Sequence, residues 1–301
     1  MKLDMAWGNP AYLHKYWDNI DLTSYYSENF GHISYEVGSS ETIKTAIKAL
    51  HSSHNNAIFE NKNIVLANGA TQLISALIQI YNIPVYVDKP CFSRYKDISN
   101  LHKVEFLNKP IENSLQFIAI PNNPDGTMFD IPRTSNIVYD LSYNWKQYVP
   151  IIEAFDEDIM LFSLSKATGH ASTRIGWGII KDKKLAKELE HFIEIDTAGI
   201  SMESQKLFLA IVNHEMEKSF TVFDYAQIVL AERWDKIKKI ENKLGFKVLN
   251  NKGMFLWALG KPPENIKCMT GSFFGVSDDF FRLNIGCKEE TFLKFIRLYN
   301  E

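Results

Sequence analysis

The chain of 301 residues is 46% hydrophobic and 23% charged, a balance that excludes a disordered chain, a collagen-like repeat and a coiled coil. Its formal net charge is −3 and its lysines and arginines are scattered among acids, so there is no basic stripe of the kind that tracks nucleic acid. No apolar run approaches the roughly 18 residues of a membrane span, and the start, MKLDMAWGNP, lacks the apolar run of a signal peptide, so a cytoplasmic protein with no membrane partner is expected.

Taken in chain order, the first thirty or so residues contain Gly8-Asn9-Pro10 and many aromatics but no strong period, and are expected to pack against the far end of the chain. Ile43, Ala46, Ile47 and Leu50 fall on one face of a helix. His51 and His54 close that helix, and with no third ligand nearby they read as surface residues rather than a metal site. Ile64 to Ala67 reads as a strand ending in the Asn68-Gly69 turn, followed by an unbroken apolar helix to Tyr81. Five further runs, IPVYV (83–87), VEFL (104–107), LQFIAI (115–120), NIVYD (136–140) and IMLFS (159–163), are near-continuously apolar, as strands are in a mainly parallel sheet covered on both faces. The charges of KDKKLAKELE (181–190) read as the solvated face of a helix. A long helical stretch over about 202–243 then leads to strands at FKVL, MFLWAL and FFRLNI and a closing helix at 288–299.

These elements predict an α/β fold, a mainly parallel central sheet covered by helices, with a smaller α+β domain. The length exceeds one typical domain of roughly 100–200 residues, and the expected division is a large domain over 31–215 and a small one formed by 1–30 with 216–301. Cys91, Cys268 and Cys287 are far apart and in no metal-ligand spacing, so free thiols and no metal are expected.

Three segments carry chemistry. SLSKATGHASTRIGWG (163–178) follows a buried strand and sets Lys166 among small hydroxyl residues, with Arg174 eight residues on. A nucleophilic amine needs a lowered pKa, which burial near another cation supplies; hydroxyl residues serving only a turn explain the segment equally well. NIVYDLSYNW (136–145) ends a strand with Asp140 and places Tyr143 three residues later, at the carboxyl end of the sheet where open α/β folds bind ligands. A helix cap is the alternative for Asp140. LANGATQL (66–73) puts Gly69, Ala70 and Thr71 at a helix start, where free N–H groups favour a phosphate, although a plain cap fits too.

With Gly8-Asn9-Pro10, IPNNPDG (120–126), GISMESQ (199–205) and RLNI (282–285), these segments resemble, in order, the aspartate-aminotransferase fold superfamily of pyridoxal-phosphate enzymes (fold type I), and within it the branch containing alliinase and tryptophan–pyruvate aminotransferase. The resemblance implies pyridoxal phosphate held by Lys166 as a Schiff base, with Lys166 also shuttling the substrate α-proton. It implies Asp140 at the pyridine nitrogen, Asn123 and Tyr143 at the ring oxygen, and Phe92 stacked on the ring face. Gly69, Ala70, Thr71, Ser163, Ser165 and Arg174 fall at the phosphate. Arg282 falls at the substrate carboxylate, a task that suits a planar guanidinium, and Asn123 and Gly8 fall at the substrate with it. His170 is expected to line the site without acting as a base. Tyr35 resembles the tyrosine that reaches a neighbouring subunit's phosphate, which implies a homodimer.

The implied activity is an aminotransferase that moves the amino group of an L-amino acid to a 2-oxo acid. A lyase that eliminates a β-substituent from a cysteine derivative is the alternative, and a non-catalytic cofactor-binding protein the rival from another class. Alliinase carries a Cys-rich module ahead of its catalytic domain; no such module is expected here, and with no obvious acid for a leaving group this tilts the reading toward transfer.

Overall fold

A computed structural model describes residues 2–25, 41–128 and 131–300. Its central sheet has seven strands in the spatial order Asn63–Ala67, Gly176–Ile180, Ile159–Ser163, Asn136–Asp140, Leu115–Ala119, Val85–Tyr86 and Phe106–Leu107. All adjacent pairs are parallel except those made by Gly176–Ile180, which runs antiparallel to both of its neighbours. Both faces are covered. Ile64, Leu66, Met160 and Phe162 belong to one buried cluster, and the alternating Val65, Ala67, Ile159 and Leu161 to the other. The near-continuous apolar runs in the sequence follow from this two-sided burial.

The antiparallel strand was not expected from the sequence, because Gly176 and Gly178 lower its strand propensity. Gly176 is required by a close approach: a Cβ there would lie 2.3 Å from the Ala70 nitrogen. The strand therefore presses directly on the turn that opens the Ala70–Tyr81 helix. Gly69 caps that helix at φ 82°, in the region that disfavours any side chain.

The Glu41–His54 helix buries Ile43, Ala46, Ile47 and Leu50, as the spacing predicts. His51 is buried beside them, which corrects its reading as a surface residue. Its Nδ1 lies 2.6 Å from Asn56 Oδ1, and its Nε2 accepts from the Trp177 indole N–H at 2.9 Å. Those partners assign the neutral tautomer with hydrogen on Nδ1. His54 is half-buried with its ring 4.1 Å from that of Phe223, so it too differs from the surface reading. An apolar helix face extended by two aromatic imidazoles is indistinguishable in sequence from a helix that ends at Leu50.

The expected long helical stretch is two helices, Met202–Glu217 and Val222–Ile240. Thr221 starts the second through a capping box with Asp224. Beyond them Met269–Thr270, Phe280–Asn284, Phe255–Leu259 and Lys247–Val248 form a four-stranded antiparallel sheet in that order, and Glu289–Arg297 is the last helix. Leu3–Asp4 pairs in parallel with Ile266–Lys267, which places the start of the chain against this tail. Among the described residues no helix is long and apolar enough to cross a membrane.

Candidate active site

Three adjacent parallel strands, Leu115–Ala119, Asn136–Asp140 and Ile159–Ser163, end at the same edge of the sheet. The segments that leave them carry Asn123, Tyr143 and Lys166, so residues far apart in sequence converge for a topological reason. A cavity of about 1170 Å³ opens there, closed on its far side by Arg282 and by Met269 and Phe274. Gly8, Ala70, Thr71, Phe92, Asn123, Asp140, Tyr143, Ser163, Ser165, Lys166, Arg174 and Arg282 all line it. Gly69 stands just behind the lining as the cap of the Ala70–Tyr81 helix. Tyr35 lies outside the described residues. His170 does not line this cavity; its Nδ1 lies 2.9 Å from Thr168 Oγ1 and its ring packs on Trp17, 4.7 Å between centroids.

Lys166 sits in the short Leu164–Ala167 helix and extends Nζ to the Gly8 carbonyl at 2.5 Å, with the Tyr143 ring 5.5 Å away. Burial, then the positive charges of Arg282 and Arg174, push its pKa down to about 8, against the opposing pull of Asp140. That is the perturbation a nucleophilic amine needs. Asp140 accepts from the Tyr95 hydroxyl at 2.8 Å and from the Ser142 backbone N–H at 3.1 Å. Burial raises the Tyr143 phenol well above its ordinary value, so it keeps its proton and can donate.

Arg282 is 4% exposed and lies over two rings, 4.0 Å from the centroid of Phe255 and 5.1 Å from that of Phe274. One terminal nitrogen donates to Asn123 Oδ1 at 2.7 Å and the other to the Ala6 carbonyl at 2.6 Å, while its Nε has no partner among the described residues. Burial lowers it to about 10, which leaves it cationic at neutral pH. A buried cation that no carboxylate among the described residues neutralises is costly unless an anion arrives.

Across the cavity Arg174 holds the left-handed conformation at φ 54° and donates to the Ala171 carbonyl at 2.8 Å and the Asn68 carbonyl at 3.3 Å. A Cβ on Gly69 would lie 2.4 Å from its guanidinium, so the glycine keeps the cation against the helix start. The Ala70 and Thr71 N–H groups, Ser163, Ser165 and Arg174 together make a cradle with anion-binding chemistry.

Two contributors were not singled out from the sequence. Tyr95, whose hydroxyl holds Asp140, lies three residues beyond Phe92 in KPCFSRY, one helical turn away. Asn284, two residues beyond Arg282, donates to the carbonyls of Trp7 and Asn9 at 2.5 and 2.8 Å and so fastens the Gly8 segment over the cavity.

The family model for allinase (Alliinase_C) matches residues 3–251. Tryptophan aminotransferase-related protein 4 of Arabidopsis thaliana is 25% identical, the match covering 98% of this chain and 76% of that protein. Alliin lyase of Allium cepa var. aggregatum is 28% identical over 80% of this chain and 62% of its own length. Against tryptophan aminotransferase-related protein 2 of Arabidopsis thaliana, at 28% identity, the chain spans 61% of the relative's length. In fold it is similar to substrate-bound BacF of Bacillus subtilis (TM-score 0.77, 17% identity, 98% of this chain and 89% of that one) and to an aspartate aminotransferase of Thermus thermophilus (TM-score 0.75, 13% identity, 98% and 90%). The chain belongs to the allinase family, in the aminotransferase–alliinase branch of the pyridoxal-phosphate-dependent enzymes.

Proposed function

We propose that this protein is an aminotransferase that moves the amino group of an L-amino acid to a 2-oxo acid, with Lys166 as the residue that carries pyridoxal phosphate and shuttles the α-proton. One observation carries the reading: a single cavity holds a buried amine of lowered pKa between an acid, Asp140, and a buried arginine, Arg282, with an unpartnered nitrogen.

The family implies the cofactor, and the residues present fit it. The cradle at Gly69, Ala70, Thr71, Ser163, Ser165 and Arg174 suits a phosphate. Asp140 suits a ring nitrogen that must stay protonated, Asn123 and Tyr143 offer donors for the ring oxygen, and Phe92 offers a face to stack on. When bound, pyridoxal phosphate supplies an electron sink for charge developing at the substrate α-carbon.

The chain's own residues do the rest. The lowered pKa leaves the Lys166 Nζ neutral far more often at neutral pH than an ordinary lysine, so it can accept the α-proton and return it to a neighbouring carbon. Arg282 exchanges its Ala6 carbonyl and Asn123 contacts for a substrate carboxylate, which its fork binds with two donors. Gly8, held by Asn284 through its neighbours, fixes the position from which Nζ reaches the substrate. Phe255 and Phe274 keep water from the Arg282 side, which strengthens that ion pair.

The match to tryptophan aminotransferase-related protein 4 over 98% of this chain supports transfer. The matches to alliin lyases favour a second reading, β-elimination from a cysteine derivative, which begins with the same proton removal. Incubation with one amino acid and no oxo acid separates them. A transferase stops after one turnover and resumes when a 2-oxo acid is added; continuous release of pyruvate and ammonia from a cysteine derivative would establish the lyase. We further propose the division into a large domain, 31–215, and a small one, 1–30 with 216–301, supported by the separate seven-stranded and four-stranded sheets and the Leu3–Asp4 pairing. A homodimer in which Tyr35 reaches the partner's phosphate is proposed with it; a fully active monomer in sedimentation would refute that arrangement.

A further inference from the structure

Tyr95 lies within the Arg94–Leu101 helix, fully buried, its ring stacked on Phe117 at 5.0 Å and 23° and its edge against Phe92 at 5.9 Å. Its hydroxyl donates to Asp140 Oδ2 at 2.8 Å, and its backbone carbonyl accepts from Ser99 Oγ at 2.7 Å. Asp140 therefore has one oxygen held by a phenol and the other by the Ser142 N–H, and it still lines the cavity. Burial first, and the Asp140 charge second, hold the Tyr95 phenol well above its ordinary value, so the proton in this contact stays on tyrosine. A tyrosine needed only to fill the core has no use for a buried hydroxyl aimed at a carboxylate, because phenylalanine fills the same space without desolvating an O–H.

We propose that Tyr95 is a positioning residue that holds the Asp140 carboxylate aimed at the cofactor's ring nitrogen, while its ring packs against Phe92. The inference rests on the reading of the cavity as a pyridoxal-phosphate site. A carboxylate beside a pyridine nitrogen shares one proton with it. A hydrogen bond to the ionised carboxylate favours the arrangement in which the proton stays on nitrogen. A bond to a charged group of this kind shifts such an equilibrium about 10- to 100-fold. Without the Tyr95 hydroxyl the shared proton moves toward Asp140, and the ring loses part of its capacity to draw electrons from the substrate.

The test is Tyr95→Phe, which keeps the ring, its stacking and its volume. Wild type and variant are loaded with pyridoxal phosphate isotopically labelled at the ring nitrogen, and the nitrogen resonance is measured at one fixed pH, with no substrate present. The wild type should show a protonated nitrogen. The variant should retain the cofactor to the same extent, yet its resonance should move toward the unprotonated position, as in Asp140→Asn. A variant resonance identical to wild type overturns the inference alone, whereas wild-type protein that takes up no pyridoxal phosphate overturns the proposed function and this inference together. If Tyr95→Phe does not fold, 4-aminophenylalanine at position 95 keeps the ring and nearly the same shape but is a weaker donor than a phenol. It should move the resonance toward the unprotonated position, and no movement there also overturns the proposal.

Discussion

Two groups of buried polar side chains near the Ile159–Ser163 strand are built differently. Around His51 both ring nitrogens are closed by protein, Nδ1 to Asn56 and Nε2 to the Trp177 indole, and the Asn56 amide donates to the Asn144 carbonyl at 2.8 Å; only the Trp145 indole nitrogen and Asn144 Oδ1 at its edge lack a partner among the described residues. Phe162 and Trp145 wall the imidazole in, with ring centroids 4.4 and 5.3 Å away. Around Lys166 the groups face a cavity, and among the described residues Arg282 Nε has no partner and the amine is satisfied only by a backbone carbonyl. A closed network has spent its hydrogen-bonding capacity on folding; an open one holds it in reserve for a ligand. Burial of a polar residue alone does not separate the two.

The largest effect should come from Lys166→Ala. It removes the proton-transfer group, whose loss costs about 10²–10⁴ in rate before loss of covalent attachment is counted; steady-state kinetics together with thermal unfolding should show activity gone and the fold intact. Asp140→Asn should follow, slowing α-proton removal about a hundredfold, the scale for loss of a preorganised electrostatic partner, while the cofactor stays bound. Solvent-deuterium exchange at the substrate α-carbon measures that step directly. Arg282→Lys keeps a charge but loses the fork, so kcat/KM should fall by the equivalent of about 1.5–3 kcal/mol, mostly through KM.

On the closed side, His51→Ala should cost about 1–3 kcal/mol of stability for the Asn56 and Trp177 groups left unpaired, more with the cavity it leaves, and should not change cofactor uptake per folded molecule. Chemical denaturation read against cofactor absorbance checks both halves. The same residue gives the most specific effect, in pH. Burial pushes His51 down to about 3 from its ordinary 6.5, so between those values the unfolded chain binds the extra proton and the folded one does not. Its contribution is complete above pH 6.5 and is lost as the pH falls toward 3. His54 and His170, both lowered to about 4 by burial, act in the same direction. Glu215, raised by burial to about 7, acts oppositely, and its contribution is lost as the pH rises through 7. Unfolding free energy measured from pH 7 to pH 4 should therefore fall less steeply in His51→Gln than in wild type. An unchanged slope would show that His51 is not buried neutral.

How much of this was legible in the sequence follows from the range over which each signal acts. Apolar periodicity marked the Glu41–His54 helix and most of the sheet, because each strand's burial is written in its own residues. The residues of the cavity were legible as a set only through an ordered resemblance of motifs; singly, Asp140 reads as a cap and Gly69 as a turn. Gly176–Ile180 escaped because Gly176 is chosen by the backbone of Gly69 and Ala70, more than a hundred residues earlier in the chain. Tyr95 escaped for a similar reason, since nothing local shows that its hydroxyl meets Asp140. The two imidazoles went wrong because exposure depends on what packs on the helix end, Trp177 and Phe223, and neither is near in sequence.

The measurement that bears most directly on the central claim is reduction of the cofactor-loaded protein with borohydride followed by peptide mapping. Pyridoxal phosphate should be fixed on one peptide, the one containing Lys166, and Lys166→Ala should yield none. Fixation on another lysine, or none on wild-type protein, would contradict the assignment of the open cavity as the site of chemistry.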